Sequence, residues 1–294
     1  MDVVDAQYHM FHQMDLERSV AAMNAVGIRS AVIDEFWYYV DGAPHPCDLL
    51  QAGVYRPTAS GAQRAAALYP DRFCYLLRVN HNDSDVRTVV KLASANPNLR
   101  ALRCDASTKG EIKKFAEGGY SEIFLAAADA GLPIFVLTYD NAALIERYLQ
   151  EYPSVAVIID HCGFMSHAEK FDSILQLAKF PNAHLKWAHA RMIFGRGSYP
   201  YSHLSVPLRK AIDSFGAERI MWSADSTMAT TGECWAEMLY YLRDGSLGLS
   251  NEEQEWILGR SARKALNWPA KKFVSPRAAE FEEIERNYRR GPAD

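Results

Sequence analysis

This sequence reads as a single α/β domain, a (β/α)8 TIM barrel, on three grounds. Short apolar, β-branched runs alternate with longer amphipathic stretches, the signature of parallel βαβ units. The apolar runs are nearly continuous, as expected of a sheet covered on both faces. Eight such runs fit into 294 residues, and α/β barrels of about 250 residues commonly form one domain. An open doubly wound sheet is the rival arrangement. It carries a Gly-rich phosphate loop after its first strand, and that position here reads Asp5-Ala6-Gln7-Tyr8-His9.

The predicted strands are Val3–His9, Ser30–Trp37, Phe73–Asn80, Leu99–Ala106, Pro133–Asp140, Val155–Gly163, Ala183–Ala190 and Arg219–Ser226. Helical spacing appears in Asp15–Val26, where Leu16, Val20 and Met23 share a face, and again in Gly118–Gly131, Asn141–Tyr152 and Lys170–Phe180. Ser250–Glu253 has the Ser-x-x-Glu pattern of a capping box, with Gln254–Asn267 continuing the helix. Two stretches break the alternation. Tyr38–Ser60 follows strand two, and Phe194–Leu204, with Gly195, Gly197 and Pro200, follows strand seven. Both would lie at the face where barrel enzymes bind substrate, which makes them candidate lid loops or ordinary surface loops. The barrel is placed at residues 1–268. A charged extension, 269–294, reads as a solvated helix or a subunit contact, leaving a homo-oligomer open.

Composition narrows the function. A formal net charge of −4 gives no electrostatic case for nucleic acid or an anionic membrane. No apolar run approaches the ~20 residues of a membrane helix. Met1–Asp5 lacks the basic-then-apolar pattern of a signal peptide. The cysteines, Cys47, Cys74, Cys104, Cys162 and Cys234, are odd in number and form no CxxC pair. A reduced, cytoplasmic protein acting on a small molecule is the expectation.

Polar residues cluster at strand ends. Strand one ends in Gln7-Tyr8-His9, and strand six in Asp160-His161-Cys162-Gly163. Strand seven carries Lys186 and His189, with Arg191 beyond, and strand eight ends in Asp225 after Ile220-Met221-Trp222. In a barrel these ends converge on one mouth. Each residue alone has a plainer reading: a hydrogen-bonded structural histidine for His9, a helix cap for Asp225, surface ion pairs for Arg103 and Arg191. Lys186 and Trp187 are neighbours, so only one of their faces can point into the barrel. Taken together, the plainer readings weaken, because each ionisable group costs desolvation and such clusters favour sites that need shifted pKa values.

Four segments resemble the amidohydrolase superfamily, in the amidohydrolase-related branch that includes sugar lactonases and 2-pyrone-4,6-dicarboxylate lactonase. They are Val4-Asp5-Ala6-x-x-His9, the run from Tyr152 to Gly163, the run from Phe215 to Asp225, and Ile257-Leu258-Gly259-Arg260-Ser261-Ala262. The resemblance spans Val3 to about Trp268 and implies the same barrel. It also implies catalytic roles for Asp225, as the base that takes a proton from water, and for His161 and His9 at the substrate carbonyl. It further implies substrate contacts from Arg103 and Arg191, since a guanidinium fork matches a carboxylate; Gln7 and His189, also at strand ends, are further candidate substrate contacts.

Two departures from the family pattern bear on a metal. Gln7 stands where the first strand would offer a histidine, and an amide is a poor ligand for a transition metal. Leu137 stands at the end of strand five, where another histidine is expected, and cannot coordinate. His9, His189, Asp225 and Glu35 remain as ligands for a divalent ion, Zn or Mn, if one is bound; a hydrolytic zinc site needs three. The leading expectation is a lactonase-like hydrolase for a small anionic substrate. Its alternatives are a metal-dependent enzyme of decarboxylation, hydration or oxidation, and a degenerate, non-catalytic barrel that binds a ligand or serves as a subunit of a paired enzyme.

Overall fold

A computed structural model describes residues 1–10, 15–51, 54–225 and 234–270. Eight strands form one sheet in chain order, each paired in parallel with the next. They are β1 (Val4–Tyr8), β2 (Ser30–Ile33), β3 (Phe73–Arg78), β4 (Leu99–Asp105), β5 (Ile134–Leu137), β6 (Val157–Ile159), β7 (Ala183–Trp187) and β8 (Ile220–Trp222). Helices alternate with them around the outside, so the arrangement is a (β/α)8 barrel.

The barrel closes between β8 and β1 through side chains. Ser223 Oγ donates to the Gln7 carbonyl at 3.1 Å. The Asp5 carboxylate accepts from the Ala224 amide at 3.1 Å and from Trp235 Nε1 at 2.7 Å. Burial pushes the Asp5 carboxyl up to about 6, although these donors and the Gln7 amide pull the other way.

Two apolar layers follow from strand alternation. Val4, Ala6, Val32, Cys74, Leu76, Ala101, Phe135, Ile158 and Met221 fill the interior, joined from the closing helices by Ala262, Leu266 and Trp268. The opposite strand faces pack on the outer helices, with Tyr8, Tyr75, Leu102 and Trp187 among the buried residues. The inward line of five strands turns polar toward the C-terminal end, while that of β5 stays apolar from Phe135 to Leu137. Val32 is followed two residues on by Asp34, Leu76 by Arg78, Ala101 by Arg103, Ile158 by Asp160 and Met221 by Ser223. The barrel is therefore apolar at its base and ionic at its mouth.

A bulge in β1 makes the exception. The pairing register with β2 shifts between Asp5 and Tyr8. Val4 and Ala6 point inward before it. After it Tyr8 turns outward, its hydroxyl 2.7 Å from Ser19 Oγ, and Gln7 and His9 turn in. One extra residue thus re-aims the end of the strand.

Most expected strands run past the observed ones at their C-terminal ends. Val155–Gly163 becomes β6 followed by a tight turn over Asp160–Gly163, and Ala183–Ala190 becomes β7 followed by a helix at Ala190–Phe194. Once the inward residues are charged, the chain leaves the ladder for turns. Asp15 caps the helix Leu16–Val26, accepting from the Arg18 amide at 2.8 Å, and Gly27 ends it at φ 85°. The helix expected over 118–131 covers Ser121–Ala130. Those expected over 141–152 and 170–180 each combine an α-helix with a 3-10 turn. The Ser250–Glu253 capping box is present, and the helix it starts continues through a π-helical turn at Trp256–Arg260.

Tyr38–Ser60 is more ordered than a plain loop. It holds two antiparallel hairpins, Tyr38–Val40 with Ala43–His45 and Cys47–Leu49 with Tyr55–Pro57. Arg56 clamps the second to the segment after β3 through two bonds to Asp83, of 2.6 and 2.8 Å. Among the described residues no helix is long and apolar enough to cross a membrane. The charged extension expected from 269 lies almost wholly outside the described residues.

Candidate active site

The polar ends of the strands meet in two adjoining groups. The first is a buried ionic lattice. Asp34, beyond β2, takes a bidentate contact from Arg78, Nε to Oδ1 and Nη2 to Oδ2, both at 2.7 Å. Arg103 Nη1 also binds the Asp34 carboxylate, while Arg103 Nη2 lies 2.9 Å from Asp160 Oδ2. Lys186 Nζ is 2.5 Å from Asp160 Oδ1 and donates to Gln7 Oε1. Burial alone would raise the Asp34 carboxyl, yet Arg78 and Arg103 hold it well below the usual carboxylate range. Burial lowers the Lys186 ammonium, against the opposing pull of Asp160. Lys186 is thus the residue of its pair that faces inward. Trp187 points outward, its Nε1 2.9 Å from the Tyr241 hydroxyl.

The second group surrounds Asp225. His9 Nε2 is 2.9 Å from Asp225 Oδ1, and His189 Nε2 is 2.9 Å from Oδ2. His161 Nε2 stands 3.6 Å from the same Oδ2. Three imidazoles therefore converge on one carboxylate. Burial would raise the Asp225 carboxyl, but His9 and His189 hold it far below its ordinary range, so it is ionised. Burial, then Lys186 and His189, push His161 far down, so its ring is neutral. His9 is oriented by its Nδ1, 2.8 Å from the Asp34 carbonyl. The chain reaches this geometry through unusual backbone. Asp225, His161 and His189 all have positive φ, at 47°, 48° and 53°. Such left-handed residues without a glycine cost about 1–3 kcal/mol each and gather at functional sites.

Aromatic rings wall the mouth. Phe36 meets the His9 ring edge-on at 5.6 Å, and Phe164 does the same to His161 at 5.6 Å. Tyr139 packs on Phe164, and the Tyr39 hydroxyl donates to Asp105 at 3.0 Å.

The structure brings together His9, His161, His189, Asp225, Gln7 and Arg103, as the sequence suggested. It sends two others elsewhere. Glu35 accepts from the Ala62 amide at 2.8 Å, near the start of the helix Ser60–Leu68, and so is not a candidate metal ligand. Arg191 lies on the rim with its guanidinium 4.1 Å above the Tyr201 ring and its Nε donating to the Arg196 carbonyl at 2.9 Å. Arg103 is in the site, but its guanidinium already grips Asp34 and Asp160. Sequence reading singled out none of Asp34, Arg78 or Asp105. Each continues its strand's inward line by two residues, which is the signal that could have found them.

The donors fit one divalent cation, on His189 and Asp225 from the expected set, with His161 in place of His9 and Glu35. His161, His189 and Asp225 offer ligand atoms all within 4.8 Å of one another. Two imidazoles and a carboxylate are the protein ligands of catalytic zinc sites that keep one position open.

A parallel barrel with its ionisable residues at the strands' C-terminal ends has the architecture of an enzyme. A family model described as amidohydrolase matches residues 48–268, and the chain belongs to the amidohydrolase 2 family. Among curated proteins none matches. Several solved structures share the fold. An amidohydrolase from Burkholderia multivorans with bound zinc is 14% identical, with 92% of this chain and 100% of that one covered and a TM-score of 0.72. A Pseudomonas putida protein provisionally named 2-pyrone-4,6-dicarboxylic acid hydrolase is also 14% identical, covering 92% and 99%, with a TM-score of 0.69. A 2,6-dihydroxybenzoate decarboxylase complexed with 2,6-dihydroxybenzoate is 12% identical, covering 91% and 99%, with a TM-score of 0.60.

Proposed function

We propose that this chain is a hydrolase that opens a lactone or a similarly activated carbonyl of a small anionic substrate, with Asp225 as general base. The observation that carries this reading is the ionised Asp225 carboxylate, held among three imidazoles at the barrel mouth. Without a metal, His161 and His9 would stand beside it as candidate partners for the carbonyl oxygen where negative charge develops. One such donor contributes about 3–4 kcal/mol in a suitable site. Arg103, its Nη2 3.5 Å from His161 Nε2, is the guanidinium nearest the histidines and the candidate contact for an anionic substituent, in competition with Asp34 and Asp160.

His9 and His189 lower the Asp225 carboxyl, and a lowered carboxylate is better matched to an acidified proton donor. A divalent ion on His161, His189 and Asp225 would supply that by lowering the pKa of water toward about 7 and by polarising a carbonyl oxygen. His9, outside that trio, keeps its contact with Asp225 and holds the carboxylate from the other side.

The aromatic walls favour a second reading, decarboxylation of a flat aromatic acid. Phe36, Phe164 and Tyr139 would bracket a planar ring above the histidines. A panel of lactones and aromatic acids, read by ring opening and by CO2 release, separates the two. Turnover of lactones that is lost in Asp225→Asn supports the first; CO2 release with intact lactones supports the second. No turnover of either class by a folded protein would leave a binding barrel.

A further inference from the structure

Lys186 is fully buried, and neither role proposed for the site uses it. Its ammonium is donor-only, and it sits against the carbonyl oxygen of Gln7 and a carboxylate oxygen of Asp160, with the Phe135 ring 5.4 Å away. That contact fixes which way the Gln7 amide faces. Its oxygen is turned to Lys186, so its NH2 must face the other way. The NH2 nitrogen lies 3.2 Å from Asp34 Oδ2 and 2.9 Å from His9 Nε2. An amide nitrogen offers hydrogens and no lone pair to a metal. The inner face of strand one therefore presents donors to the space a cation would need. The Lys186 amino group, paired with Asp160, lies directly behind it.

The other half of the site is the reverse. The ion pairs of Asp225 among the described residues are all with imidazoles. Asp34 and Asp160, by contrast, are matched by Arg78, Arg103 and Lys186. Of these three carboxylates, the one with no ion pair to Arg or Lys among the described residues is the one flanked by His161 and His189.

We propose that Lys186 is the resident cation of the strand-one half of the site: by locking Gln7 it keeps His9 from ligating metal and confines the barrel to one divalent ion, on His161, His189 and Asp225. His9 is then a positioning residue for Asp225, and Lys186 positions His9 through Gln7. This deepens the functional reading above by naming its ion and shares Asp225 with it, but its test reads bound metal, so the two can fail separately.

The experiment is zinc stoichiometry and affinity on the purified full chain, by elemental analysis and calorimetry. One zinc per wild-type chain is expected. His189→Ala, which removes a ligand, should abolish stoichiometric binding, whereas His9→Ala, which removes only a group that orients one, should keep one zinc with affinity down about 10–100-fold. Gln7→His, with Lys186 in place, should remain at one zinc; Gln7→His combined with Lys186→Met should take up a second. No zinc on the wild type, two zincs on it, or loss of its zinc on His9→Ala would overturn the proposal. So would a second zinc on Gln7→His alone, or a folded double variant that stays at one. Should the double variant not fold, the comparison of His9→Ala with His189→Ala decides alone.

Discussion

His9 Nε2 and Asp225 Oδ1 stand 2.9 Å apart at the seam where the last strand meets the first. The contact joins the two ends of the barrel's chain directly at the candidate reaction centre. It also fixes one carboxylate oxygen of Asp225 while the other faces His161 and His189. Closing the barrel and aiming the base are therefore one event.

Removing the base while keeping its shape should stop the chemistry. Asp225→Asn should lower kcat about 10²–10⁴-fold, the usual worth of a general base, with the fold retained by circular dichroism. Near-normal turnover in this variant would remove Asp225 from the mechanism.

The two arginines expected to hold substrate should behave differently on unfolding. Arg103→Leu strips a buried guanidinium from Asp34 and Asp160, which should cost about 3–5 kcal/mol, the penalty for breaking a buried ion pair. Arg191→Leu removes a rim contact with Tyr201 and a 3.9 Å approach to Glu237. That should cost about 1 kcal/mol or less. Chemical denaturation measures both, and equal losses would contradict the placement of Arg191.

Asp5 should leave a mark on the pH dependence of stability. Folding raises its pKa from 3.8 to about 6. The native state therefore binds this proton more tightly than the unfolded chain. The resulting stability is complete below about 4 and is lost as pH rises through about 6. Thermal unfolding of the wild type across that window should show this loss, superimposed on other groups. Asp5→Asn should flatten it, and identical slopes in the two proteins would refute the assignment.

Gly259 lies where the closing helix crosses the entry to β1. A Cβ there would stand 1.7 Å from the Asp2 carbonyl oxygen. Backbone cannot swing aside as a side chain can, so Gly259→Ala should destabilise by about 1–3 kcal/mol, as overpacking does. An unchanged urea midpoint would mean that the helix moves without cost.

The eight strands were legible because each needs two apolar faces, and that demand is written as continuous runs such as Val155–Ile159. Their C-terminal limits were not. At Asp160, His189 and Asp225 the chain leaves the sheet in turns that depend on neighbouring strands. The cluster of His9, His161, His189 and Asp225 was legible because ionisable residues at strand ends are costly unless used. Glu35 was misplaced as a metal ligand, and the neighbours of Arg191 were not foreseen, because strand position alone does not say where a long side chain finds its partner. Glu35 turned to the amides of a helix start, and Arg191 to an aromatic ring on the rim. Gln7 was legible as a departure from the family pattern, but its meaning was not, since Lys186 reaches it only across the closed barrel.

By itself, the sequence determined the barrel, its strand order and the residues rich enough in chemistry to serve a site, because local apolar periodicity and desolvation cost act on each segment separately. The tertiary structure alone decided which charges neutralise one another. The ionic lattice of Asp34, Arg78, Arg103, Asp160 and Lys186, and the ring of imidazoles around Asp225, join residues from seven strand ends. Electrostatic attraction in a buried volume depends on distance, and only closure of the barrel sets those distances.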